Sequence, residues 1–184
     1  MLAKFKLRSS PTLYLLVKLV GVFCISYYGT LAIEGLAAPG HYYSPFINRY
    51  LDYPAALRSS LLWGTQQFAA LCGRNAFLSG TYLVRIEGGA GVQLVYSCLG
   101  IGVMSCWVSF VLANKGYLGK KLKWILGGLM IIWIINVIRM GILLVQNNTG
   151  SKLILGIDNH LFFNIAAYSG VLFLMFLYGR NFGK

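Results

Sequence analysis

The chain has 184 residues and a net charge of +12; 58% of its residues are hydrophobic and 11% are charged. Soluble domains carry about 25% charged residues, so this composition excludes an ordinary soluble domain and predicts a small integral membrane protein. The positive charge would suit a nucleic-acid-binding protein, but the basic residues cluster beside apolar runs, as the positive-inside rule describes. We therefore expect one membrane domain over residues 1–184 and no nucleic-acid partner.

Four apolar runs are candidates for membrane spans, since a hydrocarbon core of about 30 Å takes about 20 helical residues. They cover residues 13–33, 98–114, 124–146 and 161–179. The first run follows a basic tail, as in a signal peptide, but it is longer than a typical signal-peptide core, and we expect it to be retained as an anchor. The sequence thus predicts an all-α helical bundle in the membrane.

The basic residues predict the orientation of this bundle. A short loop at 115–123 holds four lysines, and Arg180 and Lys184 close the chain, so both segments are placed on the cytoplasmic side. Residues 54–77 carry apolar side chains at helical spacing, which predicts an amphipathic helix in the outer interface. Four spans then leave both termini inside. The alternative is a fifth span at 54–77, which would place the basic N-terminus outside.

The segment from Thr81 to Ser97 changes from helical to alternating periodicity. Apolar residues alternate at 82–86 and again at 92–96, on either side of the glycine-rich residues 88–91. This pattern predicts a small β-hairpin on the extracytoplasmic side. Two interpretations stay open: the hairpin caps the bundle, or its edge pairs with an extended peptide and forms the substrate-binding site.

Three residues with reactive side chains fall at one predicted depth. A rise of about 1.5 Å per residue places Cys98, Arg139 and His160 about 24, 24 and 30 Å from the cytoplasmic ends of their helices. All three therefore lie in the outer quarter of a bilayer whose core is about 30 Å thick. Three separate helices carry a thiol, a guanidinium and an imidazole to the same level.

Arg139 is the most informative of the three. It interrupts an apolar span, and an ionisable group in such a place is expensive and indicates a functional site. Asn136 lies one turn earlier and is expected to hold the guanidinium. The competing interpretation is that Arg139 only extends its charge to the outer surface.

Cys98 and His160 supply the remaining chemistry. A reactive thiolate near the membrane needs a cation beside it, and Arg139 and protonated His160 are suited to that role. Cys98 is otherwise a packing residue, or a disulfide partner of Cys72. Asp158 is expected to cap the helix that begins near His160 or to orient the imidazole ring.

Cysteine with histidine is the minimal arrangement for nucleophilic attack on a carbonyl group, and an arginine stabilises the oxyanion that forms. Asn164 is included with Asn136 and Asp158 as a supporting residue. The four cysteines form no C-x-x-C pair and the chain has two histidines, so we expect no metal site and no cofactor.

The order of Cys98-Leu-Gly-Ile, Asn136-Val-Ile-Arg139 and His160, after a glycine-turn hairpin, resembles the exosortase/archaeosortase family over roughly residues 55 to 180. Those membrane proteins are transpeptidase-like cysteine proteases that process C-terminal sorting signals of exported proteins. The resemblance implies that Cys98 is the nucleophile, Arg139 the transition-state stabiliser and His160 the acid/base. The chain departs from the family in having Leu99 where many members have a small residue, and in its short length.

The resemblance also implies partners and a location. The substrates would be exported proteins ending in a recognition motif, a hydrophobic helix and a basic tail. The acceptor would be water, a lipid or a glycan, and the active site would face the non-cytoplasmic side of the cytoplasmic (inner) membrane, in contact with membrane lipid. Two alternatives stay open: a non-enzymatic assembly or transport component, and a thiol acyltransferase acting on lipid.

Overall fold

The structure is a computed structural model that describes residues 11–40, 42–149 and 159–182. Its elements, in chain order, are α1 (Pro11–Ala37), α2 (Pro45–Tyr50), α3 (Tyr53–Leu71), β1 (Ala76–Ser79), β2 (Leu83–Ile86), β3 (Gly91–Gln93), a 3-10 turn (Tyr96–Cys98), α4 (Ile101–Ala113), α5 (Leu118–Thr149) and α6 (Asn159–Phe182). The protein is therefore mostly helical, with a small sheet between α3 and α4.

Among the residues that the structure describes, two helices are long and apolar enough to cross a membrane, over Thr12–Ala37 and Leu118–Thr149. Within their most apolar stretches, α1 buries 6% of its residues against the rest of the protein and α5 buries 50%. The side chains of α1 thus form a wide apolar surface, which is typical of contact with lipid. Helix α4 is apolar but has 13 residues, a length of about 20 Å.

Helix α4 is the centre of the bundle and packs against α1, α5 and α6. Its Trp107 is fully buried. The indole packs directly on Gly128 of α5, where a Cβ atom would overlap it, and donates to the carbonyl oxygen of Trp124 at 3.2 Å. Tyr178 of α6 meets Trp107 edge to face, with ring centroids 6.3 Å apart. This aromatic cluster joins three helices near the C-terminal end of α4.

Helix α3 lies against the second half of α5. Gly64 is the point of contact, because a Cβ atom there would meet Val137 and Trp133. The Trp133 indole also donates to the Ser60 hydroxyl at 3.0 Å. The amphipathic helix predicted over 54–77 is shorter than expected and ends at Leu71.

The sheet has the order β1-β2-β3, with both pairs antiparallel. Residues predicted to end the amphipathic helix instead form β1, and the predicted strand at 92–96 ends at Gln93. Asn148, near the end of α5, holds the turn between β2 and β3: its Oδ1 accepts from the Ala90 amide at 2.6 Å and its Nδ2 donates to the Ala90 carbonyl at 3.1 Å. The sheet is thereby attached to α5.

The lysine-rich segment differs from the predicted loop. Helix α5 begins at Leu118, so three of the four lysines lie in its first two turns. Lys121 is 7% exposed and donates to the carbonyl oxygens of Leu112, at 3.2 Å, and Asn114. The backbone carbonyls at the end of a helix have no partner within the helix, so the ammonium group caps α4.

Candidate functional site

Cys98 lies on the 3-10 turn, and α4 begins at Ile101, three residues after the start of the predicted run at 98–114. The Cys98 amide donates to the Val95 carbonyl at 2.9 Å, and the Leu99 amide donates to the Tyr96 carbonyl at 3.0 Å. Gly100 then adopts a left-handed conformation, with φ of 75°, before α4 begins. Glycine takes this conformation without the steric cost that a Cβ atom imposes.

Gly100 also allows α5 to approach the turn closely. A Cβ atom at this position would overlap the side-chain amide of Asn136. That amide lies 3.5 Å from the Leu99 carbonyl oxygen, to which it donates a long hydrogen bond. Asn136 therefore contacts the backbone immediately after Cys98, a contact that the sequence did not predict.

The structure brings the Cys98 turn and the Arg139 segment into one buried region. Cys98 is 6% exposed and belongs to the same apolar cluster as Val137 and Met140, the residues that bracket Arg139 on α5. Arg139 is 8% exposed. A guanidinium and a thiol are thus both largely shielded from water, on segments that belong to one apolar cluster.

The third predicted catalytic residue lies at the edge of the described chain. His160 is in the first turn of α6, and its side chain lies outside the described residues. The same holds for the side chain of Asn164, and Asp158 lies wholly outside them. The meeting of His160 with Cys98 stays a prediction.

The four cysteines are all free thiols. Cys72 is exposed whereas Cys98 is buried, so the alternative of a disulfide between them is not realised. Cys24 and Cys106 are half-buried in α1 and α4. No group of three metal-binding side chains occurs among the side chains that the structure describes.

A cavity of about 760 Å³ adjoins the Cys98 turn between α1, α4 and α6. Its size falls within the range of small-molecule and peptide pockets, about 300–1,000 Å³. Its walls are mainly apolar and include Phe23, Val103 and Leu172, while Ser97 and Gly100 border it beside Cys98. Sequence periodicity contained no sign of this cavity, because it forms between helices that are distant in the chain.

Tyr96 lines this cavity and was predicted only as a strand residue. Its hydroxyl oxygen is buried and has no hydrogen-bond partner in the described part of the chain. Burial first, and then the negative charge of Glu34, raise the pKa of Tyr96 to about 12. The phenol therefore stays protonated near neutral pH and stays a hydrogen-bond donor.

The structure reveals an ion pair that sequence reasoning missed. Arg58 Nη2 of α3 lies 2.7 Å from Glu34 Oε1 of α1. The guanidinium also stacks on the Tyr82 ring, 4.4 Å from its centroid, so it joins α1, α3 and the segment before β2. The sequence contains an indication of this pair, because Glu34 is an acidic residue within an apolar helix. The same kind of interruption indicated a functional role for Arg139.

The described part of the chain is mostly helical, with two helices suited to crossing a membrane, and it holds buried Cys98 and Arg139 on segments that belong to one apolar cluster. Comparison of the chain with protein-family models, with curated proteins and with solved structures finds no match. The geometry of the site and the chemistry of its residues are therefore the basis for assigning a function.

Proposed function

We propose that the chain is a membrane-embedded cysteine protease or transpeptidase of the exosortase/archaeosortase kind, which cleaves C-terminal sorting signals of exported proteins. The observation that supports this most directly is the packing of the Cys98 turn against the segment from Asn136 to Met140. The sequence predicts that Cys98 and Arg139 share one site, and the segments that carry them are in contact.

The proposed topology has four spans: α1, α4, α5 and α6. Lys18 of α1 is close enough to Lys121 for their charges to repel, and Tyr178 of α6 packs on Trp124 of α5. These contacts support an arrangement in which the basic ends of the helices lie together. We assign that end to the cytoplasmic side of the inner membrane. Helix α4 alone is shorter than the hydrocarbon core, and the turn at its start extends it, so Cys98 would lie near the outer boundary.

The chemistry follows from the three side chains. The Cys98 thiolate adds to the carbonyl carbon of the scissile peptide bond, and the carbonyl oxygen takes up the negative charge. Arg139 stabilises that oxyanion. When the C–N bond breaks, protonated His160 gives its proton to the leaving amine, and a thioester on Cys98 remains.

The second half of the reaction releases the enzyme. Neutral His160 takes a proton from the acceptor, whose oxygen or nitrogen attacks the thioester carbonyl. The C–S bond then breaks and the Cys98 thiolate is regenerated. Water gives hydrolysis, whereas a lipid or glycan acceptor gives an anchored product.

The decisive experiment replaces Cys98 with alanine in the native host. Cys98→Ala is expected to stop processing, lowering its rate by about 10⁴-fold or more. Exported membrane proteins should then retain their C-terminal tails, which mass spectrometry of C-terminal peptides detects. Cys24→Ala is the matched control, since Cys24 is a half-buried thiol in α1 and should leave processing unchanged. Normal tail removal in Cys98→Ala cells that contain the protein at wild-type levels would reject the proposal.

A second candidate function is transfer of a lipid acyl group through the same thiol. It is favoured by a larger cavity of about 930 Å³, lined by apolar side chains of α3, α4 and α5 that include Leu57, Met104 and Leu129. The same strain separates the two functions. An acyltransferase would leave C-terminal tails removed in the Cys98→Ala host and would abolish the acylated product.

A further inference from the structure

Tyr96 is placed to contact whatever occupies the cavity beside Cys98. It lies two residues before Cys98 on the same 3-10 turn, and it shares the cavity wall with Ser97 and Gly100. Its hydroxyl is shielded from water without a hydrogen-bond partner among the described residues. Such groups are few in native structures, because burying a polar group without a partner is unfavourable. The turn therefore presents an unused donor next to the thiol.

The surroundings of Tyr96 indicate which chemical group would accept its hydrogen bond. The Glu34 carboxylate is near enough to act on the phenol electrostatically, as are Tyr27 and Tyr53. Because Glu34 is paired with Arg58, the two charges offset each other, and this pair does not favour an anionic ligand. The cavity walls, which include Phe23 and Leu172, are apolar and favour a ligand of low polarity. A neutral carbonyl oxygen on an otherwise apolar chain satisfies both conditions.

We propose that Tyr96 donates a hydrogen bond to a backbone carbonyl oxygen of the substrate, in the apolar segment that enters the cavity next to the scissile bond. This inference rests on the proposed protease function and adds a substrate-binding residue to it. The bond sets the register of the peptide relative to Cys98. Tyr96 takes no proton from the substrate and gives none to it.

The test compares Tyr96→Phe with Tyr117→Phe, using purified protein and the precursor that accumulates in Cys98→Ala cells. Tyr117 is 78% exposed and lies just before α5, beyond the opposite end of α4 from Tyr96. Tyr96→Phe is expected to raise KM about tenfold with kcat nearly unchanged, since one neutral hydrogen bond accounts for about a factor of ten. Tyr117→Phe should change KM less than about twofold, as an exposed substitution away from the cavity.

Thermal unfolding separates binding from a structural role. Because the hydroxyl has no hydrogen-bond partner among the described residues, Tyr96→Phe should leave Tm unchanged or raise it. An unchanged KM, or a KM increase accompanied by a lower Tm, would overturn the inference. If Cys98→Ala blocks processing while Tyr96→Phe behaves as wild type, only this inference fails. If Cys98→Ala cells process normally and no precursor accumulates, the protease function fails and the role of Tyr96 fails with it.

Discussion

The two ends of α4 differ in how closely α5 holds them. At both ends, a polar side chain of α5 reaches backbone carbonyls: Lys121 those of Leu112 and Asn114, and Asn136 that of Leu99. At the lysine end, Lys121 Nζ lies 3.2 Å from the Leu112 carbonyl oxygen, and α4 is continuous up to its cap. At the Cys98 end, Asn136 Nδ2 lies 3.5 Å from the Leu99 carbonyl oxygen, and a left-handed Gly100 precedes the first residue of α4.

The surroundings of the two ends differ in the same sense. The aromatic cluster around Trp107 packs towards the lysine end, where the cavity beside Trp124 and Gly128 holds about 180 Å³. The Cys98 end borders a cavity of about 760 Å³, which Tyr96 lines in part. Close packing stabilises a fold, whereas a large open volume is typical of a binding site. The four predictions below test this division from the largest expected effect to the smallest.

Arg139→Ala should produce the largest effect, and it should be an effect on catalysis. Loss of an oxyanion-stabilising group lowers kcat by about 10²- to 10³-fold. The rate of precursor cleavage, normalised to folded protein, measures it. Arg139→Lys keeps the charge without the planar geometry and should recover only part of the activity. If Arg139→Ala keeps full activity, Arg139 has no catalytic role and only extends its charge to the outer surface.

Gly128→Ala should be the most destabilising of the glycine substitutions. Its Cβ atom would overlap the Trp107 indole, so the aromatic cluster must shift. Overpacking of this kind costs about 3 kcal/mol of unfolding free energy. Gly127→Ala is the matched control, because nothing lies within 4 Å of its Cβ position. Unfolding in detergent measures both; equal stability of the two variants would contradict the close packing at this end.

Gly100→Ala should combine a smaller loss of stability with a loss of activity. The positive φ and the contact with Asn136 together cost about 2 kcal/mol. Relief of that contact moves the turn that carries Cys98, so cleavage should slow about tenfold or more. Gly102→Ala serves as control, since its nearest neighbour is Tyr27 at 3.8 Å. If both variants cleave at the same rate, the geometry at Gly100 has no catalytic importance.

Lys121→Met should have the smallest effect and should leave catalysis alone. The substitution keeps the apolar stem but removes the donor that caps α4. We expect a loss of about 1.5 kcal/mol of unfolding free energy, the lower range for a hydrogen bond from a charged group. The kcat of the folded fraction should equal that of wild type. A fall in kcat without a fall in stability would show that the two ends of α4 are coupled.

Much of the helical framework could be predicted because it depends on local properties of the chain. Continuous apolar runs identified the regions of α1 and α5, which are the two helices suited to crossing a membrane. The exact ends of the helices were harder to predict. Helix α5 begins at Leu118 because its lysines are tolerated in the first turns of a helix. Period-two alternation located the paired strands β2 and β3, while β1 was missed because its residues also suited the end of a helix.

The candidate site divides in the same way. Cys98 and Arg139 were predicted from chemistry that is visible in the sequence: a thiol at the edge of an apolar run and a charge inside one. The contact of Asn136 with the Cys98 turn and the Glu34–Arg58 ion pair were not predicted. Nor was the buried Tyr96 hydroxyl, which has no hydrogen-bond partner among the described residues. The sequence alone determined which segments are apolar and which ionisable residues interrupt them, since hydropathy is a local property. The tertiary structure alone decided which side chains of distant helices meet, because that depends on how closely glycines such as Gly64 and Gly100 let those helices approach.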